Sequence, residues 1–183
     1  IETARRAEYV RRYYLDATPP EPRGIPVELE KNLELTRMRG IDCIDRNARD
    51  VWMRALFQVQ QIVNSASAPE DAAAIWARFE NAPCASRLED GERNWLALYA
   101  AVARRDPARM AALADALLAT ETGLNAAQKQ YLLTASLAGH LAGGTYAQGI
   151  DAWNRHIHDA ARAGLTLDLR YLYAWLGVAR TLQ

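Results

Sequence analysis

Residues 95–102, with the sequence WLALYAAV, contain a pattern that occurs four times along the chain at a constant spacing. Its first position is occupied by Leu56, Trp95, Thr134 and Tyr173. The position three residues later is apolar in all four copies, at Val59, Leu98, Leu137 and Leu176. Stacked supersecondary units leave such a trace, because each unit must bury its apolar face against the next. The pattern therefore predicts an array of similar helical repeats.

Each copy of the pattern predicts the first helix of a helix pair, the first pair covering about 47–64 and 70–80. The second helices begin at equal intervals, at Pro69, Pro107 and Thr145. A small residue recurs at the same offset in each of them, at Ala73, Ala111 and Gly149. A small side chain at a fixed depth lets two helices approach closely where they cross. The sequence thus predicts an all-α protein, an α-solenoid of antiparallel helix pairs with helix stops at Gly143-Gly144 and Gly164.

The first 46 residues do not follow the repeat. Residues 2–16 predict a helix whose apolar face includes Val10 and Tyr14. Four prolines then fall within residues 19–26, a density that no helix survives. We therefore expect two parts, a helical N-terminal extension with a proline-rich connector over 1–46 and a helical repeat domain over 47–183.

The order of residues within each copy resembles the tetratricopeptide-like repeats. Tyr173, Leu176 and Gly177 follow that family's order of an aromatic residue, a large apolar residue and a small residue. The period here is longer than the family's repeat of about 34 residues, and Tyr99 stands where a small residue is expected. The resemblance covers about 47–183 and implies a right-handed solenoid of about three and a half repeats.

The resemblance also implies a concave groove that binds a ligand. Its groove-facing positions correspond here to Arg54, Phe57, Gln61, Arg93, Leu96, Arg104 and Tyr171. Arginine mixed with apolar side chains suits a peptide or partner protein that bears carboxylates. We therefore expect a non-catalytic scaffold module for protein–protein interaction.

Two alternatives to an open binding groove follow from the same residues. The chain's own first helix could fill the groove through Val10, Tyr13 and Tyr14. In the second alternative, the repeats form an accessory C-terminal domain of a larger enzyme whose catalytic part lies upstream of Ile1. The last predicted helix has no partner helix within the sequence, and an array end normally needs a cap.

Composition limits the classes of partner. The 22 basic residues balance the 22 acidic residues of the 183-residue chain, which argues against a surface that tracks nucleic-acid phosphates. Arg104, Arg105 and Arg109 form a local basic cluster that we interpret as a solvated face. No run of 18 apolar residues exists, so we expect no membrane span.

No catalytic signature accompanies the repeats. The sequence contains no serine-nucleophile elbow, no zinc-protease motif and no glycine-rich loop followed by lysine. His156 and His158 are two residues apart, which points them to different sides of a helix, so we expect no metal ligation. We interpret His140 and these two histidines as surface residues or as residues with satisfied hydrogen bonds. We expect no enzyme activity, no cofactor and no metal, and we expect the five tryptophans to lie mostly in the core.

Cys43 and Cys84 fall at the two ends of the first predicted helix pair. In an antiparallel hairpin those ends lie at the same edge, so a disulfide can join them. A bridge that closes about 41 residues would contribute on the order of 4 kcal/mol in the chain-entropy model. It would also imply an oxidising, extracytoplasmic compartment. Two unrelated buried thiols are the alternative, and they would fit the cytoplasm.

Overall fold

The computed structural model describes residues 43–66, 69–167 and 169–182. In these residues the chain forms seven α-helices and one short 3-10 helix, with no strand. The predicted all-α class is confirmed for this part of the chain. The predicted helix at 2–16, with Val10, Tyr13 and Tyr14, lies outside the described residues, as does most of the 1–46 extension.

The chain divides into two compact units after Arg105. The helices of the N-terminal unit are α1 (Arg46–Ala66), α2 (Pro69–Glu80), the 3-10 helix (Pro83–Arg87) and α3 (Asp90–Ala103). The helices of the C-terminal unit are α4 (Pro107–Thr120), α5 (Ala126–Ala142), α6 (Tyr146–Arg162) and α7 (Leu169–Leu182). Helices α1 and α2 lie within two residues of their predicted bounds, and α4 and α6 begin at or next to the predicted starts Pro107 and Thr145. The 3-10 helix was not predicted.

Several helices begin where a nearby side chain satisfies their first backbone N–H groups. Asp106 precedes Pro107, and its side chain accepts a hydrogen bond from the backbone N–H of Arg109. Asn125 and Gln128 form a reciprocal capping box at the start of α5. These contacts form between near neighbours in sequence, which explains why the helix starts could be predicted so well.

The helix ends repeat with the spacing of the sequence pattern. Gly144 follows α5 with a φ of +73°, and its N–H bonds the carbonyl of Leu141 at 3.3 Å. Arg105 occupies the equivalent position one repeat earlier, also with a positive φ of 52°, and its N–H bonds the carbonyl of Val102 at 3.1 Å. The same turn thus occurs twice, with glycine in one copy and a strained arginine in the other. Gly164, the other predicted stop, follows α6 with a φ of +70°.

An aromatic cluster fills the core of the N-terminal unit. The Trp76 ring on α2 lies 5.1 Å from Tyr99 on α3 and 5.5 Å from Phe79. Phe79 in turn meets Trp52 on α1 edge-on, with ring centroids 6.0 Å apart. Burial raises the pKa of the Tyr99 hydroxyl, because the phenolate would lose its hydration. All five tryptophans are buried, which confirms their predicted place in the core.

Helix α5 is the centre of the C-terminal unit and contacts α4, α6 and α7. A Cβ atom at Gly139 would lie 2.6 Å from the backbone N of Ala111 on α4. A Cβ atom at Gly149 of α6 would lie 2.7 Å from Cβ of His140 on α5. Two of the predicted small positions, Ala111 and Gly149, therefore lie where helices approach closely.

The apolar column that defined the pattern is buried in every copy. Its members are 0% to 4% exposed: Val59, Leu98, Leu137 and Leu176. Each lies on the first helix of a predicted pair, so the pattern has identified core positions in both units. The solenoid arrangement and its right-handedness stay predictions.

Candidate functional site

Two arginines at equivalent repeat positions lie on the surface of the N-terminal unit. Arg54 of α1 is exposed, and its Nε donates to the carbonyl of Asp50 on its own helix at 3.2 Å. The side chain of Arg93, at the start of α3, is 58% exposed. Its Nη2 donates to the carbonyl of Leu88 at 2.7 Å, and its Nη1 lies 3.8 Å from the exposed carboxylate of Asp90. Both guanidinium groups keep donors on the solvent side.

Phe57 adds an apolar contact to this surface. It is half-buried and follows Arg54 by three residues on α1, which places both on one side of the helix. Helices α1 and α3 contact each other. We call Arg54, Phe57 and Arg93 the arginine face. The side chains of Gln61 and Tyr171, which were also predicted to bind ligand, lie outside the described part of the structure.

Arg104 and Leu96 depart from the predicted groove. Arg104 is the C-cap residue of α3 and forms a bidentate ion pair with Glu80 at the end of α2. Its Nη1 donates to Glu80 Oε1 at 3.1 Å, and its Nη2 donates to Oε2. The hydrogen bond to Glu80 raises the pKa of the Arg104 guanidinium. Arg104 therefore links two helix ends within the unit. Leu96 is only 4% exposed, so it belongs to the core and does not line an open face.

The two cysteines lie within disulfide distance at one edge of the N-terminal unit. Their Cα atoms are 4.9 Å apart, and both side chains are buried. Of the two alternatives that the sequence left open for Cys43 and Cys84, this geometry is that of a disulfide pair. Arg49 of α1 lies at the same edge, with Nη2 2.5 Å from Glu89 Oε1 and Nε 3.5 Å from Glu92 Oε2.

A polar cluster joins three helices of the C-terminal unit. Asp115 lies on α4, and Ser136 and His140 lie on α5. The Asp115 carboxylate accepts a hydrogen bond from the Ser136 hydroxyl at 2.5 Å and lies 2.9 Å from His140 Nε2. The other ring nitrogen of His140 lies 2.7 Å from the hydroxyl of Thr145, which precedes α6. Ser136 and His140 are buried. The interpretation of His140 as a histidine with satisfied hydrogen bonds is confirmed.

The order of contacts in this cluster decides its chemistry. A serine nucleophile needs a base that takes its proton, normally a histidine that a carboxylate holds in place. Here Ser136 donates to Asp115, and the same carboxylate holds His140. The cluster therefore satisfies buried polar groups and ties helices together, and it does not form a nucleophile–base pair.

Neither Arg49 nor the polar cluster was predicted from the sequence, although a signal was present for each. Arg49 precedes the buried Trp52 by three residues, which places it beside the apolar stripe of α1. Ser136 and His140 are four residues apart within 135–142, a stretch of α5 that is otherwise apolar, so they share one face. In both cases the partner lies far away in sequence, and only the fold supplies it.

The remaining site predictions concern metals and membranes. Over the described ranges, no group of three or more histidine, cysteine or acidic side chains could hold a metal ion. Across the same residues, no helix combines the length and apolar character that crossing a bilayer requires.

Comparison of the chain with protein-family models, with curated proteins and with solved structures gives no significant match in any of the three. The resemblance to tetratricopeptide-like repeats therefore rests on the residues themselves and stays a prediction.

Proposed function

We propose that this chain is a non-catalytic binding module that recognises a peptide segment or protein surface bearing carboxylates, through the arginine face. One observation carries the proposal: Arg54 and Arg93 occur at the same repeat position, both are exposed, and no buried carboxylate of the described residues holds either of them. Arg49 and Arg104 provide the contrast, because each already binds glutamate within the unit.

Guanidinium chemistry defines the ligand. The planar guanidinium offers parallel N–H donors that match the two oxygens of a carboxylate. Phe57 offers apolar area next to Arg54, so an apolar residue beside an acidic one would add affinity and direction. Contacts made on an exposed face are screened by salt, so the affinity should fall as ionic strength rises.

The other residues of the predicted groove can contribute to binding only where the fold leaves their side chains available to a ligand. Gln61 and Tyr171 are groove positions only by the resemblance to the repeat family, and they stay predictions. Arg104 would first have to leave Glu80, and Leu96 is buried. We therefore place the main contacts on Arg54, Phe57 and Arg93.

The compartment follows from the cysteine pair. Disulfides persist in oxidising environments and are rare where cytosolic thiols keep cysteines reduced. With Cys43 and Cys84 at disulfide distance, we propose that the module works outside the cytoplasm.

The binding experiment uses labelled peptides of twelve residues in which glutamate and leucine are mixed, with glutamine-for-glutamate peptides as the neutral probes. Fluorescence anisotropy should show binding of the acidic probes only. The double substitution Arg54→Glu with Arg93→Glu should weaken it by about tenfold or more, because two charge-assisted contacts become repulsive. The melting temperature should stay within about 2 °C of the unsubstituted protein, as expected for exposed sites.

A matched control exists in the C-terminal unit. Arg155 is exposed and donates from Nε to the carbonyl of Asp151 at 3.3 Å, as Arg54 does to Asp50. Arg162 is exposed and pairs with Asp159 three residues earlier, as Arg93 approaches Asp90. Glutamate at Arg155 and Arg162 changes the net charge equally and should leave binding unaltered. Equal loss in both double variants, or equal binding of the neutral probes, would refute the arginine face.

A further inference from the structure

The start of α1 buries little apolar side-chain area against the described residues of the N-terminal unit. Between the buried residues Cys43 and Trp52, no side chain is fully buried. The two aliphatic residues in this span point to solvent, with Ile44 72% and Val51 50% exposed. Apolar burial therefore contributes little to the docking of residues 44–51.

Among the described residues, one covalent link and one polar link join this segment to the rest of the unit. The first is the Cys43–Cys84 pair, which ties the residues before α1 to the 3-10 helix. The second is Arg49, whose side chain is only 17% exposed and contacts both Glu89 and Glu92. Both links join the start of α1 to the segment that leads into α3.

The second link also involves the cap of α3. The Glu92 carboxylate accepts from the backbone N–H of Glu89 at 2.8 Å, which completes a capping box. The same carboxylate faces Arg49. The positive charge of the guanidinium therefore offsets the acidic pair at the start of α3, and its departure would remove that charge from the pair.

We propose that Cys43, Cys84, Arg49, Glu89 and Glu92 form a redox latch, in which the disulfide and the Arg49 contacts open together. While Arg49 holds the first turns of α1 in place, both sulfur atoms are buried and a solvent thiolate cannot approach them. Reduction then requires residues 44–51 to swing away from the start of α3. This inference concerns the stability of the edge and holds whether or not the arginine face binds a peptide.

The chemistry of opening and closing is ordinary thiol–disulfide exchange. A dithiol such as dithiothreitol attacks one sulfur as a thiolate, forms a mixed disulfide and releases the other cysteine as a thiolate. Its second thiol then displaces the remaining cysteine, so two electrons pass to the protein and the reagent leaves as a cyclic disulfide. Closing is the reverse, with oxidised glutathione taking up the two electrons and becoming two reduced glutathione molecules.

The test is the rate at which dithiothreitol reduces the disulfide in the folded protein, followed by quenching and mass measurement. Arg49→Gln should speed reduction by about fivefold, because it removes a partly buried ion pair and so favours the open edge. Arg104→Gln is the matched control, since Arg104 also joins two helices through a glutamate, but at the opposite end of α3 from Glu89 and Glu92. Its rate should equal that of the unsubstituted protein.

The variants retain the disulfide at the start of the measurement, so each is tested in its folded, oxidised form. An unchanged rate for Arg49→Gln would overturn the latch. Equal acceleration by Arg104→Gln would also overturn it, because reduction would then follow general loosening of the unit.

Hydrogen exchange provides a second measurement on a variant without the bridge. In Cys43→Ala with Cys84→Ala, amides of residues 49–53 should exchange at least about tenfold faster, while those of residues 132–141 in α5 keep their protection. Unchanged protection at 49–53 would contradict the proposal. Should the double variant fail to fold, the reduction rates of the two arginine variants still decide it.

Discussion

Gly139 shows how a single missing side chain sets the distance between two helices. A Cβ atom there would lie 2.6 Å from the backbone N of Ala111 and 2.7 Å from the carbonyl of Pro107. Backbone cannot move aside as a flexible side chain can, so we expect Gly139→Ala to lower the free energy of unfolding by about 1–3 kcal/mol.

Gly177 is the control, because nothing lies within 4 Å of its Cβ position. Gly177→Ala should raise the free energy of unfolding by about 0.5–1 kcal/mol through helix propensity. Urea denaturation followed by circular dichroism measures both. Equal effects of the two substitutions would show that α4 and α5 do not need this close approach.

His156 on α6 makes the stability depend on pH. Burial lowers its pKa below the ordinary value near 6.5, and the positive charge of Lys129 adds to the effect. The unfolded chain therefore binds this proton more readily than the folded chain. The stability that neutral His156 contributes to the folded state is fully present above pH 6.5. It is lost as the pH falls from there through the lowered pKa of the folded state.

We expect the melting temperature to fall between pH 7 and pH 5, and to fall less in His156→Gln, which cannot take up the proton. His158→Gln, at an exposed position of the same helix, controls for the replacement of a histidine as such. Parallel melting curves for all three proteins across this range would contradict the assignment.

At the scale of helices, the Asp115 cluster connects α4, α5 and the start of α6. Asp115→Ala would leave the Ser136 hydroxyl and His140 Nε2 without their acceptor. Buried donors without partners cost more than a hydrogen bond gains, so we expect a loss of about 2–4 kcal/mol in the free energy of unfolding.

A second variant separates the energetic cost of an unpaired buried donor from the loss of the hydrogen bond itself. Adding Ser136→Ala to Asp115→Ala removes one of the two unpaired donors and should recover about 1 kcal/mol. Asp151→Ala, an exposed aspartate on α6, should change the stability by less than about 0.5 kcal/mol. Denaturant midpoints compare the three, and a lower stability for the double variant than for Asp115→Ala would contradict this account.

The distance in sequence between contacting residues explains which features of the helices could be predicted and which could not. Helix starts depend on neighbours within four residues, as Asp106 and Asn125 show, so they could be predicted. Ion pairs between helices join residues that are distant in sequence, 40 positions for Arg49 with Glu89 and 24 for Arg104 with Glu80. Nothing in the sequence selects among the many acidic residues at such distances, so Arg104 was expected in the groove and Arg49 was overlooked.

Across the described residues, the repeat pattern predicted which side chains are buried far better than it predicted which are available to a ligand. Its apolar column is buried in both compact units, and Ala111 and Gly149 both lie at close helix approaches. Burial follows from periodicity, because each amphipathic helix must cover the same stripe. The availability of Leu96 or Arg104 to a ligand depends on tertiary packing and on individual partners, which periodicity does not encode.

Equivalent positions of the repeat pattern should contribute similarly to the stability of the two compact units. Leu98 on α3 and Leu137 on α5 occupy the same position in successive copies of the pattern, and are 0% and 1% exposed. Truncation of a buried leucine leaves a cavity and costs about 2–5 kcal/mol. Leu98→Ala and Leu137→Ala should therefore each lower the stability of their own unit by a similar amount within that range, as read from hydrogen exchange in α3 and α5. Ile44→Ala, which removes an exposed side chain, should change it by less than about 0.5 kcal/mol. A cost below about 1 kcal/mol for either leucine would mean that the pattern repeats in sequence without repeating in its energetic role.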